Sequence, residues 1–167
     1  MIGRLPLPAV LWLLLAGSPV PAQAGDMPRV AVSPDGKGFV LEPSGTRFTP
    51  WGFNYDHDEQ GRLLEDYWAS GWERVERDFR AMKALGANVV RIHLQAGRFL
   101  DGPDRANEQA LGRLAELLRL AEGVGLYLDL TGLGCYHKAD VPAWYDKLSE
   151  KGRWDVQAHF WRAVAAR

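Results

Sequence analysis

Two polar side chains interrupt an apolar run in Asn88-Val89-Val90-Arg91-Ile92-His93-Leu94. In an extended segment Arg91 and His93 share one side, and Val90 and Ile92 share the other. An arginine set in such a run needs an acid, because a buried lone charge costs several kcal/mol. Two readings follow: Arg91 pairs with an acid at an active face, or it forms a structural ion pair, with Asp129 of Leu126-Tyr127-Leu128-Asp129-Leu130 as a partner on the neighbouring strand. His93, one step nearer the end of its segment, is either a ligand contact or a hydrogen-bonded core histidine. Asp129 reads as a hydrogen-bonding neighbour rather than a reacting group. Asn54 and Tyr55 close an earlier segment, and Tyr136 and His137 lie in a later loop, where they meet a substrate or are simply exposed.

Aromatic residues crowd the same stretches: Trp51, Tyr55, Tyr67, Trp68, Trp72, Tyr136, Trp144 and Tyr145. Some, Trp72 above all, belong in a core. The others, beside polar groups, offer the flat apolar faces on which sugar rings stack. His57, His93 and His137 with Asp56 or Asp58 form a weaker metal alternative, since no His-x-His or His-x-x-x-His spacing supports it. Asn107-Glu108 resembles an acid/base pair at a strand end, but it opens a helix and reads as a cap.

The elements that must position these groups alternate. Val30 to Ser33 and Phe39 to Leu41 flank an Asp-Gly turn and predict a hairpin. Arg47 to Tyr55 reads as the first strand of the main body, with Gly52 allowing close backbone approach. Ser70 and Glu73 suggest a capping box for a helix with Trp72, Val75, Phe79, Met82 and Leu85 on one face. The Asn88–Leu94 strand follows, then a helix capped by Asn107 with Leu111, Leu114, Leu118 and Ala121 inward, stopped by Gly123 and Gly125. Leu126 to Leu130 is the third strand, Thr131 to Trp144 reads as a long loop, and Val156, Phe160 and Val164 mark a last helix. Strand–helix repeats of this kind imply parallel strands. Neither Gly-x-Gly-x-x-Gly nor Gly-x-x-x-x-Gly-Lys appears, so a (β/α)8 barrel is favoured over a nucleotide-binding open sheet, with the hairpin and three βα units present.

Of 167 residues, 47% are hydrophobic and 25% charged, with a formal net charge of -1, so no basic field exists to attract nucleic acid. Met1 to Ala24 carries Arg4, an apolar stretch from Leu5 to Gly17 and Ala22-Gln23-Ala24, the pattern of a cleaved secretory signal. Export to the periplasm or the extracellular space is expected, without a stable membrane anchor. Cys135 stands alone, which leaves no internal disulfide. A monomer without cofactor or metal is expected.

Trp51-Gly52-Phe53-Asn54-Tyr55, Met82-Lys83-Ala84-Leu85-Gly86-Ala87-Asn88 leading into Val89-Val90-Arg91, and Gly125-Leu126-Tyr127-Leu128-Asp129-Leu130 together resemble the N-terminal part of a clan-A glycoside hydrolase, the cellulase-like family 5. The resemblance covers about Val30 to Arg167. It implies a secreted enzyme that cleaves β-linked polysaccharides or oligosaccharides, as cellulases and mannanases do. Arg91 matches the arginine that steadies the nucleophilic carboxylate, while Asn54, Tyr55, Trp51, His93, Tyr136 and His137 become candidate substrate contacts. Many members have a histidine after the Asp-Leu of strand three, where this chain has Thr131. The retaining mechanism of the family uses two glutamates about 5.5 Å apart, at the ends of strands four and seven. Both are expected beyond this chain, whose residues 25–167 then form part of a catalytic domain without activity of its own. Alternatives are a non-catalytic carbohydrate-binding remnant and a metal-dependent barrel hydrolase.

Overall fold

Three parallel strands, β4 (Gly52–Asn54), β5 (Val89–Gln95) and β8 (Tyr127–Gly134), form the sheet that organises the molecule, in the order β4-β5-β8. A computed structural model describes residues 27–134 and 137–167. The expected leader, Cys135 and Tyr136 lie outside the described residues. Helix α2 (Trp72–Ala84) joins β4 to β5, α4 (Glu108–Val124) joins β5 to β8, and α5 (Glu150–Ala165) follows β8.

Apolar periodicity explains which face the helices take. Val75, Phe79 and Met82 of α2, Leu111, Leu114, Leu117 and Ala121 of α4, and Val156, Phe160 and Val164 of α5 are all buried. They pack on Val90, Ile92 and Leu94, the apolar row of β5, and on the Leu128 and Leu130 side of β8. Arg91 and His93 alternate onto the opposite face. The described residues are consistent with part of a barrel and do not close one.

Local chemistry sets the joints. Asn107 caps α4 by accepting from the Ala110 amide at 2.9 Å, and Gly125 ends that helix with φ +79°, a left-handed turn suited to glycine. Gly52 has a sharper reason: a β-carbon there would lie 1.6 Å from the Val89 carbonyl oxygen. Its register partner is Val89, so β4 pairs with β5 only because residue 52 has no side chain. Beside it Pro50 lacks an N–H, and the Asn88 side chain bridges the gap, accepting from Trp51 N and donating to Thr49 O, each at 2.8 Å.

Three expectations are corrected. The segment Arg47 to Tyr55 is two strands, because the chain breaks at Pro50: β3 (Thr46–Phe48) joins β1 (Arg29–Val32) and β2 (Phe39–Glu42) in an antiparallel sheet, and β4 joins the parallel one. Gly71, not Ser70, precedes α2, and no side chain caps that helix; the Ser70 hydroxyl donates instead to Tyr67 O. Strand β8 runs on through Gly134, where a loop was expected, because its pairing with β5 continues past a register shift. Three short pieces were not foreseen: α1 (Leu64–Tyr67), α3 (Ala96–Phe99) and the hairpin of β6 (Leu100–Gly102) with β7 (Arg105–Ala106).

The antiparallel sheet lies by the amino end of β8. There the Tyr127 hydroxyl donates to Pro28 O, and the Tyr127 ring meets Phe48 edge-on at 5.1 Å. No helix among the described residues is long and apolar enough to cross a membrane.

Candidate functional site

Register places Asn54, Arg91 and Asp129 side by side across β4, β5 and β8, and His93 beside Thr131 one layer further along. These side chains occupy the helix-free face: Asn54 ends β4, Arg91 and Asp129 are the third residues of β5 and β8, and His93 and Thr131 stand two residues nearer the carboxyl ends, where parallel βα folds carry their working groups. Asn54, Asp56, Arg91 and His93 line a cleft of about 220 Å³.

Arg91 Nε stands 3.9 Å from Asp129 Oδ2, with the two side chains 52% and 57% exposed. The expected partner is present, but the expected burial is not. A pair this open and this long contributes about 0–1 kcal/mol, so it does not hold the sheet together.

His93 Nδ1 lies 2.7 Å from the Thr131 hydroxyl, which also reaches Ile92 O at 3.3 Å. A hydroxyl has one hydrogen to give. The assignment that satisfies both contacts puts the ring proton on Nδ1 and leaves Nε2 as the basic nitrogen.

The other residues singled out from the sequence are placed apart. Tyr55 turns to α2, where its hydroxyl donates to Asp78 at 2.7 Å and its ring packs edge-on against Phe79. Burial, with hydrogen bonds to Tyr67 and Asp78, pushes its hydroxyl far above the ordinary tyrosine range. Trp51 lies at the amino end of β4, exposed and edge-on to Phe53. His137 is exposed and bonded through Nδ1 to Asp140 at 3.0 Å. His57 pairs with Asp56. The Asp58 carboxyl is buried and taken up by the amides of Gln60 and Arg62 and the Arg62 guanidinium. Burial pushes that carboxyl up, and the hydrogen bonds outweigh it, holding it below the usual carboxylate range. His57, His93 and His137 thus have separate partners. Among the described residues no three His, Cys, Asp or Glu gather to hold a metal.

Asn107 does cap α4, and Glu108 pairs with Arg167, which agrees with a capping reading of that pair.

One group went unnoticed in the sequence. Glu65 on α1 accepts the Gln95 amide through Oε1 at 2.9 Å, and its Oε2 is buried without a hydrogen-bond partner. Burial pushes its carboxyl up to about 7, against the lowering effect of the Gln95 amide. Its signal was an acid directly after Leu63-Leu64 and two residues before Tyr67-Trp68, all four of them buried.

The sequence matches no protein-family model and no curated protein. The structure is similar to the exo-β-1,4-mannosidase Op5Man5 from Opitutaceae bacterium strain TAV5, with a TM-score of 0.59 and 21% identity over 74% of this chain and 23% of that one. It is also similar to the GH5_18 protein from Bifidobacterium longum subsp. longum ATCC 55813, with a TM-score of 0.56 and 13% identity over 71% of this chain and 30% of that one. The chain therefore has a glycoside hydrolase-like α/β fold. It spans less than a third of the length of either solved structure.

Proposed function

We propose that this chain forms the first three βα units of a secreted glycoside hydrolase of the family 5 type, acting on β-linked glucose or mannose polymers or oligomers by a retaining mechanism. The observation that carries the reading is the row Asn54, Arg91, Asp129 on the helix-free face of three parallel strands. The likeness in fold to two family 5 structures supports it.

Arg91 is the group assigned to a nucleophilic carboxylate. Its guanidinium presents fork-shaped donors that match a carboxylate, and its loose tie to Asp129 leaves donors to spare. Asn54, Asp56 and His93 supply donors and acceptors around the cleft for sugar hydroxyls. The candidate face carries no glutamate among the described residues, so both carboxylates of the mechanism are assigned to other strands of the barrel. Export by the leader completes the proposal; the secreted protein would begin at Gly25.

The test is calorimetric titration of the 167-residue chain with β-1,4-linked manno- and cello-oligosaccharides, with hydrolysis followed in parallel. Binding without turnover is expected, weakened about tenfold or more by Arg91→Ala. Binding that ignores Arg91→Ala would sink the cleft, and turnover by the chain alone would sink the assignment of the glutamates.

A further inference from the structure

Thr131 is the register partner of His93, two residues past Asp129 on β8. Its hydroxyl is the only hydrogen-bond partner of the His93 ring among the described residues, 2.7 Å from Nδ1, and it also lies 3.3 Å from Ile92 O. The other ring nitrogen, Nε2, has no such partner. Among the described residues only Glu65 Oε2 and His159 Nε2 are both buried and without a hydrogen bond, so His93 Nε2 is open to solvent. The ring that carries it lines the cleft with Asn54, Asp56 and Arg91.

What surrounds the Thr131 hydroxyl fixes its direction. Ile92 O is a carbonyl and can only accept, so it takes the hydroxyl hydrogen and leaves Oγ1 to accept from Nδ1–H. In a neutral imidazole the proton sits on one nitrogen, and the bond that nitrogen makes decides which. Without the hydroxyl, the proton is free to pass to Nε2, where water can receive its bond.

The consequence falls on the cleft. Arg91 can only donate, Asn54 does both, and Asp56 already holds the His57 ring at 2.8 Å. A sugar hydroxyl that has accepted from one of the donors still has a hydrogen to place. A bare Nε2 can take it, whereas Nε2–H would only add another donor.

We propose that Thr131 is a positioning residue of the cleft: it fixes the His93 proton on Nδ1 and so makes Nε2 an acceptor for a sugar hydroxyl. The inference rests on the glycosidase reading above and adds to it the residue that sets the hydrogen-bond polarity of β5.

The experiment compares the unaltered protein with Thr131→Ser and Thr131→Val, by calorimetry with β-1,4-manno-oligosaccharides and by the 15N shifts of the neutral His93 ring. In the unaltered protein the shifts should show a protonated Nδ1 and a bare Nε2, and only Nε2 should move when sugar binds. Thr131→Ser keeps the hydroxyl and should keep both the ring form and the affinity. Thr131→Val should pass the proton toward Nε2 and weaken binding about threefold to tenfold, the worth of one net hydrogen bond. Urea midpoints separate that loss from a general loss of fold. A proton on Nε2 in the unaltered protein overturns the proposal without any variant. So does a Thr131→Val protein that keeps the ring form or the affinity. If no oligosaccharide binds the unaltered protein, the glycosidase reading fails, while the ring shifts still decide whether Thr131 sets the His93 proton.

Discussion

The ring of His93 fills the space that a side chain at Gly134 would take. A β-carbon on Gly134 would lie 2.3 Å from His93 Nε2 and 2.4 Å from its Cδ2. One face of the imidazole thus rests on bare backbone, while Nδ1 is tied to Thr131.

Gly134→Ala should therefore displace the histidine without breaking the sheet. A loss of about 1–3 kcal/mol is expected from overpacking, together with changed His93 ring signals in NMR. Unchanged ring signals would contradict the contact.

Gly52→Ala should be worse, because the atom it meets is backbone. The Val89 carbonyl cannot swing aside as a side chain can. A cost at or above the top of that same range of about 1–3 kcal/mol is expected, read as a lowered urea midpoint. A midpoint within error of the unaltered protein would mean that β4 does not pair with β5 as described.

Glu65 links stability to pH. Its folded carboxyl titrates near 7, against an unfolded value near 4.5, so between those values the folded state holds a proton that the unfolded chain has lost. Stability is full below about 4.5, declines as pH rises toward 7 and then levels, by roughly 3 kcal/mol from this group. Glu65→Gln keeps an oxygen for the Gln95 amide and removes the titration. Urea midpoints across this range should then flatten; an unchanged slope would assign the dependence elsewhere.

Phe160 and Asp129 mark the extremes of what a side chain contributes. Phe160 is 1% exposed, meets Phe99 edge-on at 6.0 Å and abuts Gly132 of β8, so Phe160→Ala should cost about 3–5 kcal/mol. Asp129→Asn should stay within about 1 kcal/mol. Comparable losses in thermal unfolding would refute this ranking.

Repeating local signals made much of the fold legible. Apolar residues at three- and four-residue spacing located α2, α4 and α5, and the alternation around Arg91 located β5 together with its two faces. Asn107 and Gly125 marked helix ends through chemistry that acts within a few residues. Pieces fixed by distant partners were hidden. Nothing near Glu65 announces Gln95, thirty positions away, and the end of β8 is set by pairing with β5 rather than by its own glycine-rich sequence. Of the site, Arg91, His93 and Asn54 share the cleft because strand parity and register suffice to place them. Tyr55 and Trp51 were singled out by their aromatic type and their place in the first strand, and neither says which way a ring turns.

The contact between Tyr127 and Pro28 joins groups 99 positions apart. The antiparallel sheet that contains this part of the chain is made of neighbours in sequence and can pair early, yet it has nothing to lie against until the third parallel strand exists. During synthesis this part of the chain, made before the parallel sheet, is thus among the last to find its place, and Val32 and Phe39 on its surface stay in solvent even then.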